Sequence, residues 1–123
     1  MTSTDTPTVM MDNLAETAWA QLADISPLAL HIDEIAAAAG IAPSAARAVS
    51  GSITALILHQ LARLDRQAIL ESLADIEDAG EVPVRDKIME ALMHRFEVYA
   101  PYRAQMIQLE AAARRDPVLG LRL

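Results

Sequence analysis

The sequence contains no cysteine among its 123 residues, which excludes disulfides, thiolate metal sites and a cysteine nucleophile. Aromatic residues are scarce as well, with one Trp, one Phe and two Tyr. Runs of β-branched and aromatic residues, which favour strands, are missing, whereas alanine, which favours helices, is plentiful. The composition therefore predicts an all-α fold.

Long apolar runs are missing too. No uninterrupted apolar stretch approaches the roughly 18 to 20 residues that a membrane span needs. The first eight residues include no basic side chain of the kind that opens a secretory signal. The length suits one domain. We therefore expect a cytoplasmic protein without a transmembrane segment, in which residues 1–10 form a disordered polar leader.

Basic charge is scarce in the first half of the chain. The net charge is −7, and residues 11–60 contain Arg47 as their sole Lys or Arg beside several acids. A nucleic-acid surface normally shows a basic patch, because its affinity comes largely from neutralised phosphates. The sequence shows no such patch.

Helical periodicity runs along almost the whole chain. In the first helix it places Leu14, Ala18 and Leu22 in one apolar stripe with Trp19 beside them, which predicts that these side chains are core residues. Gly40 is typical of a helix end, Pro43 of a first helical turn and Ser52 of an N-cap. The predicted helices cover residues 11–23, 32–39, 43–49, 52–76, 83–100 and 102–113, with a seventh beginning at Asp116-Pro117. Residues 11–50 thus predict a helix-turn-helix, because two short helices are joined by a glycine turn. Residues 51–123 predict a long linker helix followed by an antiparallel helical pair.

An apolar set marks the fifth and sixth helices. Methionine and alanine make an adaptable lining that accepts a hydrophobic ligand or a partner chain, although the same residues commonly form ordinary core. The candidate residues are Ile88, Met89, Leu92, Met93, Phe96, Tyr99 and Met106.

Catalytic and metal-binding patterns are weak. Glu90, His94 and Glu97 share one face of the fifth helix, but a carboxylate-rich metal site needs matching ligands from several helices, and the sequence shows no second set. A solvated helix face is the simpler interpretation. No nucleophile elbow, phosphate loop or zinc motif occurs. We therefore expect no enzyme activity, no metal and no cofactor.

A family resemblance rests on residues 14–73 and on several later segments. The matching residues are Ala15, Ala18, His31 to Ala36, Ala39-Gly40-Ile41, Gly51-Ser52 and Leu56, followed by Val84 to Ile88, Arg95-Phe96, Ala100 to Arg103 and Arg115 to Pro117. Together they resemble the tetracycline-repressor (TetR) family, in a branch close to the lipid-binding accessory family of ubiquinone biosynthesis. The resemblance implies a TetR-like helix-turn-helix fold.

Two functions follow from the resemblance. One is a transcriptional regulator that contacts duplex DNA through Ser44, Arg47 and Ser52. However, Arg47 stands where the family has an aromatic residue, Ser50 where it has phenylalanine, and Ile53 where it has a basic residue. The alternative is an accessory protein on the same fold that binds a partner protein or a hydrophobic ligand such as an isoprenoid or lipid.

Self-association is a further expectation. The full-length families continue through additional helices that supply dimer contacts, which this sequence lacks. We therefore expect a homo-oligomer or a complex with a partner protein, formed through the fifth and sixth helices and the apolar tail at residues 118–123. A large exposed aliphatic patch normally marks such an interface.

Overall fold

The computed structural model describes residues 6–79 and 83–116, and it confirms the all-α class. No strand occurs within these two ranges. The helices are α1 (Thr6–Leu22), α2 (Ile32–Ala39), α3 (Pro43–Val49), α4 (Ile53–Ala79), α5 (Val84–Tyr99) and α6 (Arg103–Arg115), with 3₁₀ turns at Pro27–Ala29 and Ala100–Tyr102. Among the described residues, no helix is both long enough and apolar enough to cross a bilayer.

The chain divides into two compact units. Among the described residues, the first unit comprises 6–60 together with 104–116, and the second comprises 61–79 together with 83–103. Helix α4 therefore contributes its first part to one unit and its remainder to the other.

The first unit is built on α1, α2 and α3, which all contact one another. The predicted stripe of α1 is buried, and Trp19 is a core residue as expected. Burial of these aliphatic side chains, at roughly 25 cal/mol per Å² of apolar surface, is the main stabilising contribution. The core of this unit contains Leu14, Ala15, Ala18, Trp19, Leu22, Leu30, Ile35, Ala36, Ala46, Leu56, Ile57, Leu109 and Ala112.

The turn between α2 and α3 follows the prediction. Gly40 has φ 72°, a left-handed conformation that a residue without Cβ adopts at little cost. Its N–H donates to the Ala37 carbonyl at 3.2 Å, and the Ile41 N–H donates to the Ala36 carbonyl at 2.9 Å. These two bonds satisfy carbonyls that the end of α2 would otherwise leave unpaired.

Three predicted boundaries differ from the structure by more than one residue. Helix α1 begins at Thr6, so residues 6–10 are helical rather than part of a leader, since Pro7 is tolerated in a first helical turn. Helix α4 continues past Ile76 to Ala79, because Glu, Asp and Ala are all compatible with a helix. Helix α6 extends to Arg115. The predicted seventh helix from Pro117 and the tail at 118–123 lie outside the described residues.

In the second unit, α4 and α5 run antiparallel. The Tyr99 hydroxyl contacts Leu61 and Asp65 near the start of this part of α4, whereas His94 contacts Asp75 further along. Leu64, Ala68, Ser72 and Val98 are buried, but many apolar side chains are not. Of the candidate residues, Ile88, Met89, Leu92, Met93 and Phe96 are exposed and so are not part of a core in this unit. Ile69, Leu70, Leu73 and Val84 are exposed as well. The expected exposed aliphatic surface is present.

Candidate functional site

A groove of about 510 Å³ lies between α4 and α5 within the second unit. Two of the predicted candidate residues, Ile88 and Leu92, line it from α5, and Ile69 and Leu73 face them from α4. The full lining is Asp65, Ala68, Ile69, Ser72, Leu73, Ile88, Ala91, Leu92 and Arg95. The wall is thus mostly aliphatic, with a few polar groups at defined places, as is typical of small-molecule sites.

Ser72 is the polar group inside this wall. It is 5% exposed, and its Oγ makes no hydrogen bond to any described residue. A buried hydroxyl without a partner is unfavourable by roughly 1 to 3 kcal/mol, so that native proteins seldom leave one unpaired. A ligand that offers a donor or an acceptor would satisfy it.

One end of the groove is polar. The Arg95 Nε lies 3.4 Å from Asp65 Oδ1, and the Tyr99 hydroxyl donates to the same oxygen at 2.8 Å. Burial, followed by the hydrogen bond and the negative charge of Asp65, raises the pKa of Tyr99 to about 12. The phenol is therefore neutral at physiological pH. As a hydrogen-bond donor, it holds the Asp65 carboxylate in place. Tyr99 supports the groove rather than lining it.

The remaining apolar candidates lie elsewhere. Met89, Met93 and Phe96 are exposed and do not line the groove. Their spacing of four and three residues places them in one row on α5, which we call the outer row. Met106 is exposed on α6 and belongs to the first unit. The structure therefore divides the predicted set between a groove, an outer row and a separate unit.

The predicted DNA-contact residues are only partly available. Ser44 is exposed at the start of α3. Arg47 donates two hydrogen bonds from Nη2 to the two oxygens of Asp33, at 2.6 and 2.7 Å. The Ser52 hydroxyl accepts the Ala55 N–H at 3.0 Å and so caps α4. Ser50 is buried and donates to the Ser52 carbonyl at 3.1 Å, so a polar bond occupies the place of a large core side chain.

A second cluster surrounds His94. From α5, Glu90 Oε1 lies 3.3 Å from Nε2 and Glu97 Oε2 lies 3.7 Å from Nδ1. Helix α4 supplies Asp75, which is hydrogen-bonded to Nε2, and Glu71, whose Oε2 is 3.7 Å from Nδ1. The spacing of Glu90, His94 and Glu97 on α5 was evident from the sequence, whereas the proximity of Glu71 and Asp75 on α4 was not.

The pKa of His94 is raised above its ordinary value of 6.5. The hydrogen bond with Asp75 is the largest cause; burial opposes it, and the charges of Asp75, Glu90 and Glu97 add to it. The cluster therefore favours a positive charge at the imidazole.

No protein-family model, curated protein or solved structure matches this chain.

Proposed function

We propose that the protein is a non-enzymatic binding protein that holds a largely apolar small molecule in the α4–α5 groove. The observation that carries the proposal is the Ser72 hydroxyl, buried in an aliphatic wall with no hydrogen bond to a described residue. An apolar ligand with one hydrogen-bonding group would cover the exposed side chains and satisfy this hydroxyl. An isoprenoid or lipid, the class that the family resemblance implies, has this combination.

The size and polarity of the groove support this choice. Sites for small molecules measure roughly 300 to 1,000 Å³, and this groove measures about 510 Å³. Asp65 and Arg95 form its polar end, while Leu73 and Ile88 lie at the opposite end because the helices are antiparallel. We therefore propose that the polar group of the ligand points toward Asp65 and Arg95 and that its apolar chain lies along Leu73 and Ile88.

The pairing of Arg47 supports a ligand-binding role over a DNA-binding one. A reader of DNA needs cations for phosphates and free hydrogen-bonding side chains for base edges. Here the one cation on α3 is bound to Asp33, and the Ser52 hydroxyl caps α4. Transcriptional regulation, the other function that the resemblance implies, is supported by the exposed Ser44 and by the two short helices joined at Gly40.

Two adjacent residues of α5 provide a matched test. Ile88 and Met89 are exposed to similar extents, 56% and 54%, but Ile88 alone lines the groove. In the test, farnesol and oleate are titrated into protein that carries the bound fluorescent probe anilinonaphthalene sulfonate. Binding is measured as displacement of the probe. Ile88→Glu places a charge in the groove and should weaken farnesol binding at least about tenfold, because a charge in an apolar site is costly.

Met89→Glu should bind farnesol as the unmodified protein does. Equal loss in the two variants, or no binding of either compound by the unmodified protein, would overturn the proposal. Far-UV circular dichroism of both variants confirms that the helices are retained.

A further inference from the structure

We propose that Asp75, Glu90 and His94 form a binding site for a divalent transition-metal ion, for which Zn²⁺ is the suitable probe. Each of these residues offers one ligand atom, and the three atoms lie within 4.8 Å of one another. Glu90 and His94 are spaced i, i+4 on α5, and Asp75 reaches them from α4. The ligands therefore come from two helices, which fixes their arrangement better than one helix face would.

The separation of Glu90 and His94 suits a zinc ion. Zinc binds nitrogen and oxygen ligands at about 2.0 to 2.2 Å, so two ligand atoms of a tetrahedral site lie roughly 3.3 to 3.5 Å apart. The His94 Nε2 to Glu90 Oε1 distance is 3.3 Å. Asp75 is closer to Nε2, because the two share a proton in a hydrogen bond. The ion would displace this proton, and the partly exposed Asp75 carboxylate would move outward to make room.

The other ring nitrogen of His94 supplies an independent observation. Nδ1 is buried and makes no hydrogen bond within the described part of the chain, yet Glu71 Oε2 and Glu97 Oε2 both lie 3.7 Å from it. A metal on Nε2 fixes the hydrogen on Nδ1, and metal-bound histidines usually donate that hydrogen to a carboxylate. A small rotation of Glu71 or Glu97 would complete this arrangement. These two residues act as positioning residues rather than ligands.

The negative charge of the cluster also favours a bound cation. Four carboxylates surround one imidazole, and the ion pairs found for Asp75, Glu90 and Glu97 in the described ranges are all with His94. The neighbouring Arg95 is directed to Asp65. A divalent cation would therefore offset an excess of negative charge.

The ligand types determine which ion fits. An imidazole with carboxylates favours zinc and its neighbours in the first transition row, whereas Mg²⁺ and Ca²⁺ prefer oxygen ligands alone. Three protein ligands also leave one coordination position for water. The site is thus expected to select Zn²⁺ or Co²⁺ over Mg²⁺.

Calorimetric titration of the full chain with Zn²⁺, together with the visible absorption of Co²⁺, tests the proposal. We expect one equivalent of metal to bind. His94→Gln, Glu90→Gln and Asp75→Asn should each weaken binding by at least about a hundredfold, and Glu97→Gln by about tenfold, because residues that orient a ligand typically contribute 10- to 100-fold. His59→Gln is the matched control, since within the described part of the chain the one carboxylate found against His59 is that of Asp12, at 2.7 Å.

Three results would overturn the proposal: no Zn²⁺ binding by the folded protein, binding that survives His94→Gln, or full displacement of Zn²⁺ by an equal concentration of Mg²⁺. Glu90 is half-exposed, so Glu90→Gln should keep the helical circular dichroism spectrum and remain informative if His94→Gln fails to fold. None of these results depends on whether the groove binds a ligand.

Discussion

The guanidinium group of Arg47 on α3 is bound by the carboxylate of Asp33 on α2. Nη2 lies 2.6 Å from Oδ1 and 2.7 Å from Oδ2, and Nε donates to Oδ1 at 3.1 Å. Both side chains are more than half exposed, so the pair contributes little to stability, about 0 to 1 kcal/mol. Its consequence is electrostatic, because it neutralises the one cation that α3 could present to a phosphate.

Freeing the Arg47 side chain from Asp33 should therefore increase the affinity of the protein for DNA. The unmodified protein is expected to bind a random 20-base-pair duplex more weakly than about 10⁻⁴ M at physiological salt. Asp33→Asn should strengthen binding at low salt and steepen the slope of log K against log salt by about 0.9, the value of one added phosphate contact. Fluorescence anisotropy of a labelled duplex measures both quantities.

Glu34→Gln is the control for this experiment. It removes the same charge from the adjacent position, but no ion pair between Glu34 and Arg47 occurs among the described residues. A gain of equal size in both variants would show that net charge alone is responsible. Micromolar binding by the unmodified protein with a steep salt dependence would favour the regulator over the ligand-binding proposal.

Of the two glycines that the structure describes, Gly40 should be more sensitive to substitution than Gly51. Gly40→Ala forces an L side chain into a left-handed conformation and is expected to lower the free energy of unfolding by about 1 to 2 kcal/mol. Gly51→Ala is the control, since Gly51 has no positive φ and open space around its Cα. It should change stability by less than about 0.5 kcal/mol.

Urea unfolding followed by the fluorescence of Trp19, the single tryptophan, measures both variants. Equal effects at the two glycines would contradict the assigned role of the Gly40 turn.

Tyr99 should titrate at an unusually high pH. Its pKa is about 12 against an ordinary value of 10.0. Because the folded state holds the phenolic proton more tightly, the contribution of Tyr99 to stability is complete below pH 10 and is lost as the pH rises from 10 to 12. Absorbance at 295 nm in a Tyr102→Phe background follows this phenol alone.

Asp65→Asn should lower the pKa of Tyr99 without restoring the ordinary value, because burial is the larger cause. Ionisation near pH 10 in the unmodified protein, while its circular dichroism is still native, would contradict the described contact.

The outer row predicts self-association. Phe96 is 71% exposed and lies beside Met89 and Met93, an apolar surface of the kind that marks interfaces. Sedimentation velocity at micromolar concentration should show a concentration-dependent oligomer that Phe96→Gln weakens. Val84, 70% exposed but outside this row, provides the control variant Val84→Gln. If the protein is a monomer at all concentrations, the outer row is not a self-association interface.

The local elements of the first unit could be predicted from the sequence. Helices α2 and α3 have the predicted bounds, because Gly40 and Pro43 act through their own backbone restrictions. The burial of Trp19 followed from periodicity alone. The start of α1 was missed, since the mostly polar residues before Val9 carry no periodic signal and Pro7 is compatible with either structure.

The candidate sites could not be predicted from the sequence in the same way, because they depend on how α4 packs against α5. In each of three pairs, the two residues lie almost equally far along the chain from the segment that joins the helices. The pairs are Asp75–Glu90, Glu71–His94 and Asp65–Tyr99. This symmetry, which an antiparallel pair imposes, could have revealed the α4 carboxylates. The unpaired hydroxyl of Ser72 had no such signal, because a serine in a helix is as readily solvated as buried.

The proposed function requires an apolar ligand to lie in the α4–α5 groove. Intermolecular nuclear Overhauser effects between farnesol and the methyl groups of labelled protein locate the ligand. We expect contacts from the ligand chain to Ile69, Ile88 and Leu92, which line the groove, and none to the methyls of Met89 and Met93. Contacts confined to Met89 and Met93, or none to either set with farnesol in excess, would contradict it.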